Sequence, residues 1–296
     1  MRSKVNKRQK TVAITGANGF VGSGLVAHFS KNGWRVVKLI RQKREIENKS
    51  ISSRYYCIGE QLANTLLDDV DLLIHAAYVK DVSDTTSAFD LNLTSSQDLH
   101  DLARKSGVHT SVFISSLSAK ETATSSYGQQ KYAIEKLFST NKDVVIRPGL
   151  VIGNGGLVAD MSRFIKRYHA VPVISGGHQP LQVVDVPSIA TAIETTYHQN
   201  LHGVFVVASS ITYPYRHFYT QLARSIKAPV LLINIPSRLL LTMFTLKRRL
   251  GATGGVGVDN LHGLISMRYV DSKEDLAKLN LTIPSLEDML LALKNA

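Results

Sequence analysis

Short apolar runs rich in β-branched residues alternate with longer stretches of helical spacing through the first two thirds of the chain. Within a helical stretch the apolar residues recur on one face, as Ala88, Leu91 and Leu99 do. This alternation predicts an α/β fold with a doubly wound parallel sheet, because nearly continuous apolar strands need helices on both faces. The predicted strands are Thr11–Thr15, Arg35–Ile40, Arg54–Ile58, Asp71–His75, Ser111–Ser115 and Val144–Arg147, and the predicted helices are Val21–Lys31, Thr85–Lys105 and Ser126–Thr140.

The pattern becomes less regular after Pro148, where glycine-rich breaks appear at Gly153–Gly156 and Gly176–Gly177. We predict one domain over residues 1–148 and a smaller, mostly helical region over residues 149–296, with residues 182–209 returning to the sheet. The elements predicted in this part are strands Leu181–Val184 and Val204–Val207, the helix Pro187–His198 between them, and terminal helices Ser272–Lys278 and Ser285–Lys294.

Composition narrows the class of protein. Apolar residues make up 44% and charged residues 20% of the 296 positions, which supports a large core and excludes a disordered chain or a coiled coil. The net charge of +12 indicates a surface that attracts anions such as nucleotides, nucleic acids or acidic lipids. Nucleic acid is not the predicted partner, because there is no zinc finger, helix-turn-helix signature or aromatic-rich basic stripe.

Cysteine usage and apolar segments indicate the compartment. Cys57 is the single cysteine, so no internal disulfide can form, no metal site is predicted, and a reducing cytoplasmic location is expected. Met1–Lys10 is basic without an apolar core, which is unlike a secretory signal peptide. Val230–Leu246 is interrupted by polar residues and proline, so we expect no transmembrane segment.

The first predicted strand runs directly into a loop with three glycines and then a helix. Gly16 permits the tight turn, Gly19 lets the backbone approach a pyrophosphate, and Gly22 lets the helix pack on the strand. The helix N-terminus then faces the anion. This context predicts a dinucleotide site in a Rossmann domain, since an ordinary turn would need three coincident glycines. The predicted cofactor-binding residues of the loop are Gly16, Ala17, Asn18, Gly19, Phe20, Val21 and Gly22.

The residue after the second strand indicates which dinucleotide binds. Sites that prefer NAD usually place an acidic residue there to bind the ribose diol. This chain has Arg41 instead, followed by Lys43 and Arg44, and an arginine can pair with a 2′-phosphate. We predict NADP, with NAD as the alternative; the competing interpretation of these cations is a solvated surface. Glu60 is interpreted as a surface residue, with a place near the adenine as the alternative.

Tyr127 and Lys131 lie four positions apart, which places both side chains on one face of a helix. A nearby ammonium favours the phenolate of a tyrosine, so such a pair can exchange a proton with a substrate hydroxyl while a nicotinamide exchanges hydride. The pair follows the fifth strand, which ends at the sheet edge where doubly wound folds bind ligands. A serine hydroxyl of the Ser115–Ser118 stretch can hold the substrate oxygen there, whereas Ser118 is interpreted as a loop hydroxyl.

Together these motifs resemble the extended short-chain dehydrogenase/reductases, and within them the NAD-dependent epimerase/dehydratase type that acts on nucleotide sugars. The similarity covers most of the chain. It is carried by TGANGFVG at Thr15–Gly22, HAA at His75–Ala77, Asn92, Ser115–Ser116, YGQQK at Tyr127–Lys131, RPG at Arg147–Gly149 and QVVDVPSIATAI at Gln182–Ile193.

The resemblance implies a role for each matching residue. Tyr127 would be the acid/base, Lys131 would bind the nicotinamide ribose and lower the tyrosine pKa, and Ser116 would hold the reacting oxygen. Ala76 and Ala77 would let the cofactor lie close to the strand end.

It further implies that Asn92 supports the active-site backbone and that Arg147 and Pro148 mark the exit toward the substrate region; we interpret His75 as packed rather than catalytic. Family members also often form homodimers through helices of the sheet layer, which makes a homodimer an expectation here.

Departures from the family pattern leave the substrate open. The interval between Ser116 and Tyr127 is shorter than usual, and the missing acidic residue favours net reduction over epimerisation. The first hypothesis is an epimerase or reductase acting at a hydroxyl or keto carbon of a nucleotide sugar, whose diphosphate the Gly153–Gly156 loop can accept. The alternatives are an NADP-dependent reductase of a non-sugar carbonyl and a cofactor-binding scaffold without turnover, although a scaffold would not need all three of Ser116, Tyr127 and Lys131.

Pro236–Leu250 carries more apolar surface than one packing face requires, and Lys247–Arg249 lie at its end. Burial against the substrate region or a dimer partner is the favoured interpretation. An interfacial membrane helix is the minority interpretation.

Overall fold

The structure is a computed structural model that describes residues 8–42, 50–79, 85–236 and 268–293. Its main feature is a seven-stranded parallel sheet with flanking helices, which confirms the predicted doubly wound fold. Numbered in chain order, its strands are β1 (Thr11–Thr15), β2 (Arg35–Ile40), β3 (Ile51–Tyr55), β4 (Leu72–His75), β5 (Thr110–Ile114), β6 (Asp143–Pro148) and β11 (Gly203–Val207).

The strand order across this sheet is β11-β6-β5-β4-β1-β2-β3, so the order reverses between β1 and β4. Ligands of doubly wound sheets bind at the carboxyl ends of the strands beside such a reversal. Every residue of β1 is buried, as the apolar sequence of this central strand requires.

The prediction for β3 was wrong by three residues, because Arg54–Ile58 was expected and Ile51–Tyr55 is observed. Among the described strands it pairs with β2 alone, from Ile51 beside Val36 to Tyr55 beside Ile40. At this edge the half-buried Ser52 and Ser53 are tolerated, so the apolar pattern that usually marks a strand is weak.

Eight α-helices lie in the described ranges. Helix α3 ends earlier than the predicted Thr140, because the amides of Leu137 and Phe138 turn back to the carbonyl oxygens of Ile134 and Glu135. The helices are α1 (Phe20–Lys31), α2 (Thr85–Lys105), α3 (Ser126–Glu135), α4 (Gly156–Tyr168), α5 (Val186–Gln199), α6 (Tyr215–Ser225), α7 (Lys273–Lys278) and α8 (Leu286–Ala292).

Six further strands form three two-stranded sheets: β7 (Leu150–Ile152) with β10 (Val183–Asp185), β9 (Pro180–Leu181) with β12 (Tyr213–Pro214), and β8 (Ala170–Ile174) with β13 (Leu231–Ile235). The segment Leu181–Val184 therefore does not return to the main sheet, and that prediction was wrong; the return is made by β11 alone. Gln182 separates β9 from β10, since its carbonyl oxygen accepts from Leu150 and its amide side chain bonds the backbone of Ser209 and Val270.

The chain divides into two compact units. Unit 1 comprises Met1–Ile114, Ile134–Val145 and Ile193–Gly203, and unit 2 comprises Ser115–Ala133, Ile146–Ala192 and Val204–Ala296. Each unit has its own core: unit 1 packs residues such as Val37, Leu73 and Leu99, and unit 2 packs residues such as Val158, Phe218 and Leu286. Both units combine segments from either side of Pro148, so the domain boundary expected there stays a prediction.

Two predictions concern residues outside the described ranges. These are the helical interpretation of Pro236–Leu250, of which only Pro236 is described, and the cations Lys43 and Arg44. Within the described part of the chain, no helix is long and apolar enough to cross a membrane.

Candidate functional site

The glycine loop of unit 1 is shaped by close backbone contacts. Gly16 has a φ of +65°, and a Cβ at this position would lie 2.9 Å from the Ala77 nitrogen. A Cβ on Gly22 would overlap the carbonyl oxygen of Gly16, so α1 packs against the loop with no room for a side chain. Gly19 is the N-cap of α1, and no side chain caps the helix. The first-turn amides are therefore directed toward any anion held by the loop.

The loop after β4 lies against the glycine loop, and together the two loops form a cradle. The amides of Ala76 and Ala77 both donate to Thr15 Oγ1 at 3.1 Å. This brings Ala76 and Ala77, which sequence analysis assigned to the cofactor, against Gly16 at the carboxyl ends of two neighbouring strands. A narrow cradle of small residues beside an uncapped helix N-terminus fits the pyrophosphate of a dinucleotide.

Arg41 follows the last residue of β2 and is exposed. Burial and a hydrogen bond with Glu60 raise the pKa of the Cys57 thiol, and the Arg41 guanidinium opposes them. The Glu60 carboxylate also accepts a hydrogen bond from the Tyr55 hydroxyl at 2.7 Å. Arg41 thus lies near Cys57, beside the carboxyl ends of β2 and β3. An exposed guanidinium at this edge can pair with a phosphate group.

In unit 2, Ser116, Tyr127 and Lys131 are brought together by a tight turn and the start of α3. Ser116 accepts hydrogen bonds from the amide of Ser118 at Oγ and from the amide of Ala119 at its carbonyl oxygen. Its side chain also hydrogen-bonds to Tyr127. The buried Lys131 places its ammonium nitrogen 5.9 Å from the centroid of the Tyr127 ring. The three residues that sequence analysis assigned to proton exchange therefore form one cluster.

The protonation of Tyr127 follows from its surroundings. Burial raises the pKa of the Tyr127 phenol, and the hydrogen bond with Ser116 acts in the opposite direction. The phenol of the protein alone is therefore protonated near neutral pH, the state that a proton donor needs. The residue keeps 36% of its surface exposed, so the ring is accessible to a small molecule.

The loop between β7 and α4 carries the glycines Gly153, Gly155 and Gly156. Gly155 is the N-cap of α4, so this helix also begins without a side-chain cap. Gly156 has a φ of +58°, which favours glycine. A cavity of about 280 Å³ adjoins the loop and is bordered by Asn154 and Lys166. Backbone amides and an ammonium group are partners for an anionic substrate group.

Comparison with known proteins identifies the family. Residues 12–208 match the model of the NAD dependent epimerase/dehydratase family. The chain belongs to this family. The resemblance and the enzyme class predicted from the sequence are confirmed, because the matched residues make up most of the chain.

Individual relatives of this epimerase/dehydratase family member are distant. Over 174 residues, it is 26% identical to a ceramide reductase of Caulobacter vibrioides, covering 55% of this chain and 54% of that protein, or about half the length of each. The structure of MoeE5 in complex with UDP-glucose and NAD has a TM-score of 0.74 at 18% identity, covering 96% of this chain and 97% of that one. A UDP-glucose 4-epimerase of Thermotoga maritima with UDP-glucose gives 0.73 at 18% identity, with the same coverage. At this identity the two structures show the shared fold.

Two residues of this epimerase/dehydratase family member were not singled out by sequence analysis. Thr15 holds the Ala76–Ala77 backbone, and its only signal was its place at the start of TGANGFVG. Gly128 lies within YGQQK, where a Cβ would be 2.5 Å from the Ser118 carbonyl oxygen and 3.0 Å from the Ala123 Cβ. Glycine in the first turn of a helix is a weak signal, because its reason lies in contacts with a different segment.

Replacing Gly128 by alanine is expected to displace the start of α3 from the Ser116–Ser118 turn, because the added methyl group cannot fit beside the Ser118 carbonyl oxygen. We expect destabilisation of about 1–3 kcal/mol and loss of turnover, since over-packing moves Tyr127. Urea denaturation measures the loss of stability, and a steady-state assay measures the loss of turnover. The exposed neighbour Gln129 provides a control, because Gln129→Ala should be far milder in both measurements. Equal behaviour of the two variants would contradict this account.

Proposed function

We propose that this chain is an NADP-linked oxidoreductase that interconverts a hydroxyl and a keto group, with Tyr127 as the acid/base. The observation that carries the proposal is the cluster of Ser116, Tyr127 and Lys131, in which a protonated phenol has a hydroxyl partner and an ammonium group within reach. Bound NADPH would supply a hydride to the carbonyl carbon.

In the reductive direction, the chain's own residues handle the proton. Tyr127 gives its phenolic proton to the carbonyl oxygen as the C–H bond forms, which yields the alcohol and a phenolate. Lys131 stabilises that phenolate because a positive charge near a tyrosine favours its ionised form. The Ser116 hydroxyl binds the same substrate oxygen and orients it. In the oxidative direction the phenolate takes the proton back from the alcohol.

The preference for NADP rests on Arg41. The MoeE5 complex contains NAD, so that structure does not support the NADP preference, which we propose for this chain from its own residues. An exposed guanidinium after β2 can bind a 2′-phosphate, whereas it offers no carboxylate to a ribose diol. Unit 1 would hold the pyrophosphate at Gly16, Gly19 and Gly22, with the remaining loop residues and Ala76–Ala77 lining the cradle.

A nucleotide sugar is the first candidate substrate. Two structures of the same fold have UDP-glucose bound. In this chain the uncapped α4 N-terminus and the cavity bordered by Asn154 and Lys166 give an anionic diphosphate possible partners. A homodimer also stays part of the proposal, on the family resemblance alone.

A keto group outside a sugar is the second candidate, and the sequence relationship to a ceramide reductase favours it. The two candidates differ in a simple assay. NADPH oxidation that depends on a UDP-keto-sugar supports the first, whereas oxidation that depends on a long-chain keto lipid supports the second.

Replacing Tyr127 by phenylalanine is expected to reduce turnover by about 10²–10⁴-fold, because the variant has no proton to transfer. Dinucleotide binding should be preserved, since the cradle lies in unit 1. Stopped assay of product and nicotinamide fluorescence measure the two quantities. Full activity of the variant would remove Tyr127 from the mechanism. Tyr132, on the same helix, supplies the matched control: Tyr132→Phe should retain turnover.

Replacing Arg41 by aspartate is expected to shift the preference from NADPH toward NADH. The carboxylate repels a 2′-phosphate and can accept hydrogen bonds from the ribose diol. Losing a charge-assisted pair should raise the NADPH dissociation constant by about tenfold or more. Titration of each reduced dinucleotide gives the ratio, with Lys38→Asp as a charge-matched control on β2. An unchanged ratio in Arg41→Asp would refute the assignment of Arg41.

A further inference from the structure

Three buried side chains of unit 1 link the end of β1 to helix α2. Thr15 Oγ1 lies 2.8 Å from His75 Nδ1, and His75 Nε2 lies 2.9 Å from Ser96 Oγ. Ser96 Oγ then donates to the Asn92 carbonyl oxygen at 2.6 Å. Thr15, His75 and Ser96 are each at least 98% buried. Such a buried chain persists only when its donors and acceptors match.

The direction of each hydrogen bond follows from counting protons. Ser96 donates its one hydroxyl proton to the Asn92 carbonyl oxygen. Its Oγ must therefore accept the hydrogen bond from His75 Nε2–H. Thr15 Oγ1 accepts from the amides of Ala76 and Ala77, which fills both of its lone pairs. Its proton must therefore go to His75 Nδ1. These bonds assign His75 as the neutral imidazole with its proton on Nε2.

The same face of α2 ties down two neighbouring loops. Asn92 bonds both the amide and the carbonyl oxygen of Val79, and Ser95 Oγ accepts from the Gly59 amide at 2.8 Å. Asn92, Ser95 and Ser96 are thus a polar stripe on the buried side of α2. Asn92 and Ser95 each hold a loop backbone, and Ser96 holds the His75 side chain, at the carboxyl ends of the strands, where the dinucleotide is expected.

We propose that His75 and Ser96 are positioning residues for cofactor binding. They fix the Thr15 hydroxyl as an acceptor of the Ala76 and Ala77 amides, and they thereby hold this backbone against Gly16. This inference rests on the proposed function in that the bound ligand is a nicotinamide dinucleotide. His75 is therefore more than the packed residue that the sequence analysis described.

Matched variants separate hydrogen bonding from packing. His75→Phe keeps an aromatic ring beside Phe113 and Phe138, whose centroids lie 5.7 and 6.4 Å away, but it removes both hydrogen bonds. Thr15→Val removes the hydroxyl at nearly constant shape, whereas Thr15→Ser retains the hydroxyl. We expect His75→Phe and Thr15→Val to raise the NADPH dissociation constant by about tenfold, Ser96→Ala to act in the same direction, and Thr15→Ser to remain near wild type.

A second buried polar pair in unit 1 controls for loss of stability. His100 Nε2 lies 3.0 Å from Asp143 Oδ1, and Asp143 Oδ2 accepts hydrogen bonds from the amide and the hydroxyl of Thr140. Asp143→Asn should lower the urea midpoint while changing the NADPH dissociation constant by less than about twofold. If His75→Phe weakens binding no more than Asp143→Asn at matched stability, the positioning role is wrong.

Amide hydrogen exchange tests the same role without any ligand. Exchange of the Ala76 and Ala77 amides should become faster in His75→Phe, Ser96→Ala and Thr15→Val, and it should stay protected in Thr15→Ser and Asp143→Asn. Failure of the wild-type protein to bind either dinucleotide would overturn the proposed function, whereas unchanged exchange in His75→Phe would overturn the positioning inference by itself.

Discussion

The close approach of two backbones at Gly16 is the constraint on which the dinucleotide cradle depends. A side chain at Gly16 would meet the Ala76–Ala77 segment, and a side chain at Gly22 would meet Gly16 itself. With both positions free of a Cβ, β1, α1 and the loop after β4 can converge at one point. Thr15 completes the arrangement, because its hydroxyl satisfies the two amides that this convergence would otherwise bury without partners.

The chemistry proposed for unit 2 depends on a similar close contact, which leaves no room for a side chain at Gly128. The Ser116–Ser118 turn contacts α3 at Gly128, the residue directly after Tyr127. This contact places the Ser116 hydroxyl on the Tyr127 phenol, while helical spacing alone places Lys131 beside the same ring. Burial then holds the phenol in its protonated form. The proposed proton donor therefore depends on one turn, one helix and the lack of a side chain at Gly128.

Features encoded by neighbouring residues were predictable from the sequence. The bounds of β1, β2 and α2 and the order of strand, glycine loop and helix follow from local apolar spacing. Ser116, Tyr127 and Lys131 could also be placed, because two of them share a helix and the third closely follows a buried strand. Arg41 is a cofactor-binding prediction that rests on its position after β2 and on the charge it carries in place of an acid.

Features set by distant partners could not be predicted in this way. The bounds of β3 depend on the register with β2, and Leu181–Val184 pairs with Tyr213 and Leu150, far away in the sequence. The bonds of His75 with Thr15 and Ser96 likewise join three separate segments, so the HAA motif and the apolar strand before it did not reveal them. A single sequence shows which residues are polar and buried, but it does not show which buried polar residues meet.

Titration of the purified protein with NADPH and with NADH, followed by nicotinamide fluorescence, tests the proposed cofactor preference. We expect saturable binding of both forms to one site, with clear preference for NADPH through the guanidinium of Arg41. Preference for NADH, or NAD(H) retained through purification, would contradict the assignment of an NADP-linked oxidoreductase and favour an epimerase that recycles its own cofactor.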